Sequence, residues 1–153
     1  MGTGFGAEGF KLVGGNKLVM SIGLWMVFEA VAAKEDAVKD SLEEHLEKLE
    51  SESEVEIVER NVDEVAEVED PHPDLKKGFS QVAECKLDVE TFRKCIQITF
   101  DYGPTYVQME GPDNYEMSLK EGQESLQQVA DVIHEYAQMG VGGVLVSKPT
   151  EEQ

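Results

Sequence analysis

The spacing of apolar side chains divides the chain into alternating strand-like and helix-like stretches. Leu18 to Phe28 is an almost unbroken apolar run. It falls short of the roughly 20 residues that a membrane helix needs and reads as a first strand reaching Val31. From Lys34 to Ser51 the period becomes helical, with Val38, Leu42, Leu49 and either His45 or Leu46 on one stripe. Glu54 to Val62 carries branched residues at near-alternate positions, and its charges suit a strand near a sheet edge. Residues 63–78, with Pro71, Pro73 and Gly78, read as a long acidic loop. A third strand from Phe79 to Asp88 puts Ala83, Cys85 and Leu87 on one face and Ser80, Val82, Glu84 and Lys86 on the other. Asp88 is placed to cap a second helix on which Phe92, Cys95, Ile96, Thr99 and Phe100 recur up to Gly103-Pro104. Thr105 to Glu110 is a fourth strand. Ser118-x-x-Glu121 forms a capping box for a third helix, with Leu126, Val129, Ala130, Ile133, Tyr136 and Ala137 on its buried side. Gly140, Gly142 and Gly143 end it, and Val144 to Val146 suits a short last strand.

This order, β-α-β-β-α-β-α-β, resembles in its first six elements the split βαβ, ferredoxin-like sandwich. The resemblance implies an α+β fold with an antiparallel sheet and two helices on one face, here with an added C-terminal helix and short strand. It implies no activity, because this architecture hosts many unrelated ones. Residues 1–16 hold six glycines and read as a loose tail, native or added. A single domain is expected over 17–147, with a frayed acidic tail over 148–153. A cleaved export signal ending at Ala30-Val31-Ala32 competes with the strand reading. Glu8 and Glu29 oppose it, as does the direct run into a helix.

Charge narrows the function classes. The chain has 13 Lys and Arg against 32 Asp and Glu, a net charge of −19. Residues 34–74 alone carry −13 of it. Such a field repels phosphate backbones and anionic lipid, so neither nucleic acid nor a membrane surface is an expected partner. An apolar share of 41% supports a folded domain rather than an acidic disordered chain. The 23 Glu to 9 Asp and 11 Lys to 2 Arg give an archaeal-type composition, compatible with tolerance of salt or heat. Cys85 and Cys95 have neither zinc spacing nor disulfide-scaffold density. They read as buried reduced thiols in a cytoplasmic protein.

Candidate chemistry is sparse. Two helices on one sheet face leave the other face to be polar, covered by the third helix, or paired with another molecule. With Glu29 and Glu84 marking that face, Trp25, Val27, Val31, Val82 and Tyr106 share it. Those five residues are the candidate interface, for a homo-oligomer or a protein partner. The turns Tyr102-Gly-Pro104 and Glu110-Gly-Pro112 bracket the fourth strand, making Tyr102, Tyr106, Glu110 and Tyr115 a candidate small-ligand cleft together with Asp113. In Asp70-Pro-His-Pro-Asp74, Asp70, His72 and Asp74 are potential divalent-metal ligands on a stiff loop, although extended spacing opposes their meeting at one ion. His134-Glu135 begins a zinc-hydrolase pattern that fails at Gln138. No nucleophile or phosphate-loop signature appears and no cofactor is called for. The expected role is therefore non-catalytic assembly through the uncovered sheet face. A ligand- or metal-binding regulatory domain, or a small enzyme, is the alternative.

Overall fold

A computed structural model describes residues 10–13 and 17–140, with side chains for residues 21–74 and 76–140. The chain forms two compact units, residues 1–116 and 117–153. The described part is a mixed α+β structure with three helices and a five-stranded antiparallel sheet, beside a separate two-stranded one.

In the first unit, β1 (Phe10–Val13) and β2 (Lys17–Met20) pair antiparallel, so part of the stretch read as a tail is strand. After a break at Ser21, β3 (Ile22–Ala32) leads into α1 (Glu35–Glu50). There follow β4 (Val55–Val62), β5 (Ala66–His72), β6 (Leu75–Val89), α2 (Phe92–Tyr102) and β7 (Tyr106–Gly111). The sheet order is β4-β6-β3-β7, and β5 also pairs with β6, beyond the end of β4. β6 can serve both because it is 15 residues long.

Period-2 alternation builds the core. Ile22, Leu24, Met26 and Phe28 of β3 lie beside Val89, Leu87, Cys85 and Ala83 of β6. α1 adds Leu42, Leu46 and Leu49, and α2 adds Cys95 and Ile98, so both helices cover this one face.

Several expectations need correction. Residues 63–78 are mostly strand rather than loop. Val68 sits opposite Gly78 and Glu69 opposite Lys77, while Lys77 Nζ lies 2.9 Å from Glu67. The two prolines hid this hairpin. Pro71 falls at the irregularity between Glu69 and His72, and Pro73 in the turn, places where a missing N–H costs no ladder bond. Asp88 does not cap α2, because it lies within β6 opposite Gly23 and Glu56. Thr91 is the cap, its Oγ1 accepting from Lys94 N at 3.1 Å. The most buried residues of α2 are Lys94, Cys95 and Ile98, a face rotated from the expected one; the aliphatic stem of a lysine buries as readily as an apolar side chain.

The second unit contains α3 (Leu119–Gln138). Ser118 caps it as expected, its Oγ accepting from Glu121 N at 3.0 Å. Ala137 is buried, but Leu126, Ala130, Ile133 and Tyr136 are exposed, contrary to the expected buried side. Helical periodicity identifies a face that can be buried, not what buries it. Val144–Val146, residues 148–153 and most of residues 1–16 lie outside the described residues.

Candidate functional site

The sheet face turned away from α1 and α2 carries the odd positions of β3. Trp25, Val27, Glu29 and Val31 stand beside Lys86, Glu84, Val82 and Ser80 of β6. On the other side Trp25 faces Gln108 and Val27 faces Tyr106. All five residues of the expected interface therefore share one face. Trp25 and Tyr106 touch edge to face with centroids 5.3 Å apart. Val31 and Tyr106 are about half exposed, while Trp25, Val27 and Val82 are partly buried. Polar groups frame this strip: Glu29 accepts from Ser80 Oγ at 2.8 Å, and Lys86 Nζ lies 3.8 Å from Glu110. Glu84 and, on β4, Glu56 and Glu59 extend the acidic border by register.

A second polar cluster was not singled out from the sequence. Lys94, 6% exposed, places Nζ 2.7 Å from Glu52 Oε1, and Tyr102 donates its hydroxyl to Glu52 Oε2, also at 2.7 Å. The bond from Lys94, then that from Tyr102, holds the Glu52 carboxyl below its ordinary range. Burial, then the Glu52 carboxylate, pushes the Tyr102 hydroxyl up. Nearby, the His45 ring meets Phe28 and Tyr102 edge to face, and its Nε2 lies 2.8 Å from Tyr102 O. A carbonyl only accepts, so Nε2 carries the hydrogen. Of His45 and Leu46, the two residues that fit the helical stripe, Leu46 takes the core position and His45 sits at its margin. Burial raises the Cys85 thiol to about 11, leaving it protonated and a poor nucleophile at neutral pH.

The tyrosines of the expected cleft do not converge. Tyr102 bonds Glu52 on the helix-covered side, Tyr106 lies on the opposite sheet face and donates to Gln108 Oε1, and the Tyr115 hydroxyl accepts from Phe92 N. Glu110 faces Lys86. In the β5–β6 turn His72 and Asp74 are exposed, with Nδ1 and Oδ2 3.9 Å apart and Nδ1 accepting from Asp74 N at 3.2 Å. Among the described residues no three His, Cys, Asp or Glu side chains are grouped to hold a metal ion, Asp70, His72 and Asp74 included. His134 contacts Gln138, and Asp131 accepts from Gln127, so these two side chains each bond one turn away rather than to each other. No described helix is long and apolar enough to cross a membrane.

These features define an α+β domain whose sheet has one helix-covered face and one face of mixed apolar and acidic character. The model of the MJ0538 family matches residues 23–151, and the chain belongs to that family. Comparison with curated proteins and with solved structures gave no match.

Proposed function

We propose that this chain is a non-catalytic acidic domain that acts by protein assembly through the face bearing Trp25, Val27, Val31, Val82 and Tyr106. The observation that carries the reading is the convergence of these five side chains on the side opposite α1 and α2. An apolar strip with a polar border has the anatomy of a binding surface. The border favours a partner protein with Lys or Arg at its rim. A second copy would set Glu29, Glu84 and Glu110 against carboxylates like themselves.

The ferredoxin-like reading belongs to the same proposal. What supports it is that, with β4 and β5 taken as one interrupted strand hairpinned to β6, the elements would read βαββαβ with the strands in the spatial sequence second-third-first-fourth. The two free, buried cysteines support a reducing cytoplasmic setting.

Native mass spectrometry of the protein isolated gently from its own cells tests the function. The wild type is expected in a complex with another chain, and Trp25→Glu or Val31→Glu at its own monomer mass with an unchanged melting curve. A wild-type monomer, or a complex that survives both substitutions, overturns the proposal.

A further inference from the structure

We infer that the open edge of β3 at Glu29 and Val31, beneath α1, is a docking groove for a short, extended and basic peptide segment bound by strand addition. The inference does not rest on the apolar sheet face, because it concerns main-chain groups at an edge. β3 runs to Ala32, but β7 pairs only with Gly23 to Val27. The final contact is Thr105, whose N and Oγ1 both donate to Val27 O, at 2.7 and 3.2 Å. In an antiparallel sheet the main-chain groups of alternate residues point to the same edge. Those of Glu29 and Val31 therefore face the side Val27 faces, and no described strand pairs with them there. The Glu29 carboxylate is held by Ser80 across the sheet face, which leaves its main chain to serve the groove.

A cavity of about 200 Å³ opens at this edge, lined by residues 28–31, Ser41, Leu42, His45, Tyr102 and Gly103. A cavity of roughly 150 Å³ accepts benzene, so this one takes a single peptide side chain. Phe28, Ala30 and Leu42 supply apolar contact. His45, fixed by its bond to Tyr102 O, keeps Nδ1 as an acceptor in the neutral ring. Glu29 and Val31 each present an N–H and a C=O, repeating at about 6.6 Å along the strand, which is the period of an extended chain and the basis of strand addition. The flanks set the charge of the ligand. Asp40 is exposed beside Ser41, Glu44, which lies 3.8 Å from Lys48, is exposed beside His45, and Asp101 is exposed beside Tyr102. The nearby Lys39 lies 3.6 Å from Glu35. Lysine or arginine on either side of the docked residue complements this rim.

The test is an amide-resolved NMR titration of the full chain with acetyl-Lys-Val-Phe-Val-Lys-amide. Controls are the same peptide with Glu at both ends, and two versions N-methylated at alternate residues. The Glu29 and Val31 amides should shift and exchange more slowly. The Glu-flanked peptide should bind more weakly by about tenfold or more. Only one of the N-methylated versions should lose binding, because alternate amides face β3. Ser41→Trp, with an unchanged melting curve, should close the groove. The proposal is overturned if the two amides do not respond at millimolar peptide, if the Glu-flanked peptide binds equally, or if both methylated versions behave alike. It is also overturned if butylamine alone produces the same shifts. Loss of assembly in Trp25→Glu leaves this titration unaffected, so the two readings fail separately.

Discussion

Lys94 shows how a single residue can invert the usual meaning of its type. Its stem lies on the buried side of α2, and its ammonium is held by Glu52 at 2.7 Å and Gln97 at 3.2 Å. Lys94 is buried and Glu52 partly exposed, so Glu52→Gln, which leaves the buried ammonium uncompensated, should cost about 3 kcal/mol in urea denaturation, and Lys94→Met about 1 kcal/mol. The double variant should recover part of the loss. The pH dependence has a definite sign. The folded Glu52 carboxyl titrates below its ordinary value of 4.5, so its contribution is fully present above that value. It is lost as pH falls from there through the lower folded value. Melting temperature measured against pH should therefore drop on the acid side, and Glu52→Gln should make that limb shallower. The pair was not legible in the sequence. A lysine among acids reads as surface charge, and the contact spans 42 positions. The pairing of His45 with Tyr102 is hidden for the same reason, at a separation of 57.

At the scale of elements, legibility followed burial on one side. The period of α1 placed Val38, Leu42 and Leu49 inward, and all three are buried. The alternation of β6 likewise gave Ala83, Cys85 and Leu87. β5 was missed because its side chains are largely exposed, which leaves no apolar alternation to read, and its prolines occupy irregular positions. α3 was recognised as a helix from its capping box, yet its apolar side was assigned a burial that the described structure does not give it. Two substitutions separate these cases. Leu46→Ala removes a side chain with no exposure and should cost about 2 to 5 kcal/mol. Leu126→Ala alters a side chain that is 72% exposed and should change stability by no more than about 0.5 kcal/mol. Chemical denaturation of the two variants checks both. A large loss at Leu126 would mean that its stripe on α3 is covered in solution.

For the whole molecule, the proposed assembly would divide the work of recognition between the acid concentrated in residues 34–74 and the apolar strip on β3, β6 and β7. In that proposal the charge would repel nucleic acid, anionic lipid and other acidic chains, while the strip would supply area that water leaves readily. Parity put Trp25, Val27, Val31 and Val82 on one face, because a strand exposes alternate residues and Glu29 and Glu84 marked which side was wet, whereas Tyr106 is placed there by the register of β7 against Val27. The Trp25–Tyr106 contact and the open edge beyond Val27 needed the register between β3 and β7, and apolar periodicity does not encode register between distant strands. The most direct test of the central claim is photo-cross-linking in the protein's own cells, with a benzophenone side chain replacing Val31 in one variant and Glu47, exposed on α1, in another. The account predicts a discrete covalent adduct with a partner protein from position 31 and none from position 47. Equal adducts from both positions, or none from position 31 in a folded variant, would contradict it.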